Sequence, residues 1–168
     1  MIIPQTEIEH LANRPLDIPV LATWVQQEWG HLTPNVTYEM RVSEFARMAT
    51  IHTIPEAFVA VENITPVGMA SLVEHDMLAR MELSPWLAAV YVVPESRNRG
   101  VGSKLVRTAM QEARVLALDR LYLFTPDQIH FYRRLGWQAL EQVSYRGERV
   151  TIMVYEAQLN PEGGFRND

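Results

Sequence analysis

The stretch Val90-Tyr-Val-Val-Pro-Glu-Ser-Arg-Asn-Arg-Gly-Val-Gly-Ser103 constrains this chain more than any other: β-rich residues run through a basic turn with two glycines into an amphipathic helix. From Gly102 to Leu118 the residues Leu105, Val106, Ala109, Met110, Ala113 and Leu116 fall on one helical face. Lys104, Arg107, Gln111, Glu112 and Arg114 are expected opposite, in solvent. The first turn of such a helix carries backbone N–H groups without intrahelical partners, and its macrodipole favours an anion. Gly100 and Gly102 keep side chains out of that space, and Arg97 and Arg99 add positive charge. A dinucleotide fingerprint needs a third glycine where Leu105 stands, and the Gly102-Ser-Lys104 run lacks the flanking pattern of a P-loop. Two readings remain: an anion-binding turn, or a helix start with glycines used for tight packing.

The rest of the chain reads as one α+β domain over residues 1–159, with a flexible tail at 160–168. Its 168 residues, 48% hydrophobic and 21% charged, suffice for one sizeable core. An edge strand at Glu7–Leu11 is followed by a helix with Val20, Trp24 and Val25 inward, ending at Gly30. A second helix is expected from Thr37 to Ile51, with Met40, Phe45 and Met48 as apolar positions. The segments Phe58–Val61, Val67–Val73 and Trp86–Val93 then read as an antiparallel meander. After the long helix come a strand at Arg120–Phe124, a short helix at Asp127–Leu135, and a hairpin of Trp137–Tyr145 with Val150–Tyr155 around Arg146-Gly-Glu.

Composition narrows the function classes. Fifteen Lys and Arg against twenty Asp and Glu give a net charge of −5, which disfavours nucleic acid or an anionic membrane as the main partner. The absence of cysteine removes thiol nucleophiles, disulfides, Fe–S clusters and Cys-bound zinc, and fits a reducing cytoplasm. The five histidines never fall at helical ligand spacing, so no metal is expected. The start has no signal-like basic and apolar regions, and the apolar run from Pro85 to Pro94 is far short of the roughly 20 residues a membrane span requires.

Arg97-x-x-Gly100-x-Gly102, placed after Val90-Tyr-Val-Val-Pro94, resembles the acyl-CoA pyrophosphate loop of the GNAT (Gcn5-related N-acetyltransferase) superfamily. The segment Leu121–Trp137, closing on Tyr132-x-x-Leu135-Gly-Trp137, is similar to that family's next strand and short helix. Thr125–Trp137 together with Gln27-Glu-Trp29 is also similar to the subgroup containing the animal actin N-terminal acetyltransferase. The resemblance implies a GNAT-like fold: a mixed, mostly antiparallel central sheet with helices on both faces. It further implies acetyl-CoA as co-substrate, a primary amine as acceptor, and a monomer or homodimer as the working form.

An amine attacking a thioester needs the thioester held, an oxyanion stabilised, an ammonium deprotonated and a thiolate protonated. By the resemblance, acyl-CoA would lie against Val90, Tyr91 and Val92, with a backbone N–H, that of Val92, polarising the acetyl carbonyl. Its phosphates would meet Arg97, Asn98, Arg99, Gly100, Val101, Gly102 and Ser103. Thr125 stands where many relatives carry an Asn that bonds the pantetheine arm. Tyr132 is the candidate general acid, against the alternative of simple packing. Glu74, Asp76 and Glu28 are candidate bases, each also readable as a solvated charge.

Overall fold

The computed structural model describes residues 2–158; the expected tail at 160–168 lies outside them. The elements run β1 (Thr6–His10), α1 (Ile18–Trp29), α2 (Tyr38–Arg47), β2 (Glu56–Glu62), β3 (Thr65–Val73), β4 (Trp86–Val92), α3 (Val101–Val115), β5 (Arg120–Thr125), α4 (Ile129–Arg134), β6 (Gln138–Tyr145) and β7 (Glu148–Glu156). One seven-stranded sheet has the order β1-β2-β3-β4-β5-β7-β6. Every neighbouring pair is antiparallel except β4 and β5. α3 is the crossover between those two parallel strands.

Strand alternation divides the core between the faces of the sheet. On one face Phe58 and Ala60 of β2 pack with Leu105, Val106, Ala109 and Ala113 of α3, and Tyr132 and Trp137 complete that layer. On the other, Ala57, Val59 and Val61 meet Leu21, Ala22 and Trp24 of α1 and Phe45 of α2. Beyond them Trp86 fills a third cluster with Met77, Leu83, Val150 and Ile152. β2 is buried along its whole length because both faces are covered.

Local chemistry accounts for the element ends. Thr37 caps α2 by accepting the Met40 N–H at 3.1 Å. The β6–β7 turn has both Arg146 (φ 50°) and Gly147 (φ 78°) in the left-handed region, the conformation that matches hairpin twist.

Several expectations about the helices are corrected. α2 stops at Arg47 rather than Ile51. Its buried residues are Arg41 and Phe45, whereas Met40 is exposed. Arg41 turns inward because its Nε donates to Gln26 Oε1 at 2.6 Å and a terminal nitrogen donates to Thr33 Oγ1 at 2.7 Å, which pins α2 to α1. In α1 the inward residues are Leu21, Ala22 and Trp24, with Val20 and Val25 at the margin. Glu112, placed on the polar face of α3 by periodicity, is buried and lies 2.6 Å from His52 Nδ1.

Candidate active site

The site begins with a defect in β4. Between the pairs Met69↔Tyr91 and Ser71↔Ala88, two steps along β3 face three along β4, and Ala89 takes a φ of 53°. Such a bulge bends its strand. β4 and β5 share the registered pair Trp86↔Tyr122 near the start of β4, and past the bulge no further pair joins them among the described residues. The sheet is therefore open between the distal halves of β4 and β5. Val93 N–H donates to Val67 O at 2.9 Å, so alternation turns the peptide groups of Val90 and Val92 into the gap and those of Tyr91 toward β3. The Tyr91 ring instead lies on the α1 face, 5.4 Å from Trp24 and 6.3 Å from Trp29. At Gly68 an added Cβ would stand 2.8 Å from Tyr91 O and 3.1 Å from Leu105 Cδ1, so β3, β4 and α3 converge at a spacing that admits glycine alone.

At the open end of β4 the chain enters α3. Gly100 takes a φ of 82° and no side chain caps the helix. Lys104 N–H donates to Gly100 O at 3.1 Å, which leaves the N–H groups of Val101, Gly102 and Ser103 ahead of the first helical bond. A Cβ at Gly102 would meet Phe131 Cζ at 3.5 Å and Val92 Cγ2 at 3.8 Å, ordinary contact distances. Packing does not demand that glycine; its effect is to keep clear the space between β4 and α4.

The basic residues of the loop divide between two tasks. Arg97 Nε donates to Val92 O at 2.8 Å and its guanidinium sits 5.6 Å from the Tyr91 ring centroid, at the mouth of the gap. Arg99 turns back to Glu62, with contacts of 2.9 and 3.1 Å to the two carboxylate oxygens. Buried Glu62 also accepts from Ser96 Oγ at 3.4 Å and from Thr6 Oγ1 at 3.3 Å, so it anchors the whole turn to the end of β2. Lys104 Nζ donates to Thr6 O at 3.0 Å. Asn98, with a φ of 61°, takes one of the turn's two left-handed positions. Sequence reasoning missed Glu62, because nothing local to a strand-end acid pairs it with an arginine 37 positions away.

α4 supplies the opposite wall. Tyr132 is buried, edge-on to Phe131 at 4.9 Å and to Trp137 at 6.1 Å. Burial, reinforced by the charge of Asp127, holds its phenol well above the usual range. The hydroxyl therefore stays protonated through neutral pH. Thr125 ends β5; its Oγ1 accepts the N–H of Gln128 at 3.0 Å and of Asp127 at 3.4 Å, shaping the turn into α4 while its own hydrogen remains available.

The candidate acids separate. Glu28 on α1 and Glu74 beyond β3 are exposed. Asp76 is partly buried, and burial pushes its carboxyl up to about 7, opposed by Arg146 in the β6–β7 turn and reinforced by Glu44 on α2. Two elements distant in sequence thus act on one carboxyl. A carboxyl raised toward neutrality suits general-base work.

Comparison with known proteins agrees with this architecture. A structure from Brucella melitensis described as ribosomal-protein-alanine N-acetyltransferase superposes with a TM-score of 0.72 at 21% identity, covering 89% of this chain and 99% of that one. A Salmonella typhimurium protein solved with its cofactor acetyl-CoA gives 0.71 at 18% identity, covering 96% and 98%. In sequence, the chain is 32% identical over 103 residues to mouse N-alpha-acetyltransferase 80, covering 58% of this chain and 33% of that protein. It is 33% identical over 66 residues to an amino-acid acetyltransferase from Aeromonas salmonicida, covering 39% and 15%. The chain thus matches a third or less of the length of these curated relatives. The family model described as acetyltransferase (GNAT) domain matches residues 54–139, from just before β2 to the start of β6, which takes in the opened strands, the uncapped helix and Tyr132. With more than half of its residues under that model, the chain belongs to the GNAT acetyltransferase family.

Proposed function

We propose that this protein is an acetyl-CoA-dependent N-acetyltransferase that passes the acetyl group directly to a primary amine, with a peptide N-terminus as the first candidate acceptor. The observation that carries the reading is the juxtaposition of the gap between β4 and β5 with the uncapped N-terminus of α3. The gap offers the Val90 peptide groups and the Val92 N–H to an extended pantetheine arm, the Val92 carbonyl being held by Arg97 Nε. The N–H groups of Val101, Gly102 and Ser103 offer donors to its pyrophosphate. In this reading the phosphate-side cation is Arg97, since Arg99 is engaged by Glu62.

The chemistry follows from the residues around that cleft. The amine nitrogen attacks the thioester carbonyl carbon, the oxyanion takes the Val92 N–H, and the C–S bond breaks to release CoA thiol. Asp76, its carboxyl pushed up to about 7, accepts the ammonium proton through water when ionised. Tyr132 donates a hydrogen bond to the sulfur as negative charge develops there. With its own pKa well above a thiol's, the phenol stabilises the thiolate, which takes its final proton from the amine or from solvent.

A peptide N-terminus is placed first because the chain matches an N-alpha-acetyltransferase over 103 residues. We assign the acceptor to a groove of about 450 Å³ lined by Val36, Glu39, Met40, Ser43, Glu44 and Arg47, because its Glu44 is the carboxylate that also acts on Asp76. The second reading, a free amino acid or small amine as acceptor, draws on the amino-acid acetyltransferase match. An acceptor screen with acetyl-CoA, read by thiol release, tests both: peptides with varied N-termini should outpace spermidine, aminoglycosides and amino acids. Thiol release with no acceptor above the water background would overturn the transferase reading.

A further inference from the structure

Behind the α3 helix, about 16 Å along its axis from the anion-binding end, four side chains meet that the transfer reaction does not use. His10 ends β1, His52 lies in the loop after α2, Glu56 opens β2 and Glu112 sits in α3, a turn from its C-terminal end. Glu56 and Glu112 are buried, at 0% and 6% exposure. His52, Glu56 and Glu112 each present one ligand atom within 4.8 Å of the others. His10 Nδ1 lies 2.9 Å from Glu56 Oε1, and the His52 backbone N–H donates to that same oxygen at 3.2 Å. The other oxygen, Glu56 Oε2, is buried with no partner.

Two carboxylates removed from water at this range repel unless a proton or a metal cation joins them, and a buried oxygen without a partner costs about 1–3 kcal/mol when nothing occupies its lone pairs. One imidazole and two carboxylates form a borderline N/O donor set. Imidazole selects a transition ion over magnesium or calcium, and tetrahedral zinc accepts this set with one place left for water.

We propose that His52, Glu56 and Glu112 form a site for a divalent transition cation, zinc being the best match, with His10 fixing the Glu56 carboxylate from outside. The hydrogen-bonded contact between His52 Nδ1 and Glu112 Oε1, 2.6 Å, would widen by about 0.7 Å to seat an ion at tetrahedral Zn–N and Zn–O distances. His52 is half exposed, so that movement is local and the ion has an entry path. Bound there, the ion would tie α3 to β2 and to the exit of α2, a brace for the helix whose far end forms the phosphate site. The donors come from a loop, a strand and a helix, so no linear spacing in the sequence announces them.

The test is calorimetric titration of the metal-stripped full chain with zinc alone, with Co²⁺ absorption as a second readout of geometry. The expected result is one zinc per chain at micromolar affinity or tighter, an intense tetrahedral cobalt spectrum, and a Tm raised by several degrees. Glu112→Gln and His52→Asn should each weaken zinc at least about 100-fold. Asn tolerates the φ of 57° at His52, so that variant should fold even where Glu112→Gln does not. Failure of the wild-type chain to bind, or equal binding by folded variants, would overturn the site and leave a protonated His52 as the partner of Glu112.

Discussion

One terminal nitrogen of Arg99 donates to both carboxylate oxygens of Glu62, at 2.9 and 3.1 Å, and so directs toward the sheet a guanidinium whose position in the loop suggests a phosphate ligand. The pair belongs to the loop's own architecture. Gly100, at φ 82°, and Asn98, at φ 61°, take left-handed conformations that a free loop would rarely hold together, and Glu62 ties the residues on both sides of Asn98. Glu62→Gln removes the charge that Arg99 needs. The expected loss, about 1–2 kcal/mol by urea denaturation, is moderate because Arg99 keeps access to water. Acetyl-CoA affinity should fall with it, since the N–H groups of α3 would no longer be held in place.

Gly102→Asp separates ligand binding from folding. An acid in the first turn of α3 interacts favourably with the helix dipole by about 0.3–1 kcal/mol, and the new Cβ meets Phe131 and Val92 at ordinary contact distance. The fold should therefore keep or slightly raise its Tm. Acetyl-CoA binding, measured by calorimetry, should drop by at least an order of magnitude, because the carboxylate occupies the space and repels the pyrophosphate. Unchanged affinity in the folded variant would remove the phosphate-loop assignment.

Tyr132→Phe keeps the ring that packs on Phe131 and Trp137 and deletes only the hydroxyl. Turnover is expected to fall by about 10²-fold or more while the dissociation constant of acetyl-CoA changes little, since the hydroxyl is needed when sulfur gains charge. A parallel loss of stability and activity would instead mark Tyr132 as a packing residue.

How much of this was legible in the sequence varies by element, for physical reasons. The long helix, the loop and the α4 segment were readable because their signals are local: periodicity in α3, left-handed Gly100, and the Leu135-Gly136 stop, where Gly136 takes a φ of 100°. The inward face of α2 was not legible, because Arg41 satisfies its guanidinium inside, between Gln26 and Thr33, a tertiary pairing that outweighs the hydrophobicity of Met40. The bulge at Ala89 left no trace, since Leu87–Val92 reads as an unbroken strand and alanine gives no hint of a positive φ. Glu62 and Glu112 were hidden alike, because an acid's partner across the fold is invisible to spacing.

Asp76 provides the pH test that joins stability to turnover. Its carboxyl titrates near 7 in the folded chain, against an ordinary value of 3.8, because burial disfavours the charge more than Arg146 favours it. Between those values the folded state holds a proton that the unfolded state has lost, so stability falls as pH rises through the window and the cost is complete above about 7. Every tenfold difference in proton affinity between the folded and unfolded chain is worth about 1.4 kcal/mol. Asp76→Asn removes the charge and should be more stable than the wild type at pH 8 but little different at pH 4, as read from denaturation midpoints at the two values. The same carboxyl must be ionised to accept a proton, so kcat/KM for the amine should rise with pH through a limb near 7 that Asp76→Asn lacks, leaving the steeper dependence set by deprotonation of the acceptor itself. Arg146→Gln withdraws the opposing positive charge and should move that limb upward. A wild-type profile unchanged in both variants would transfer the base role to Glu74 or Glu28, whose exposed carboxylates stand outside this cluster.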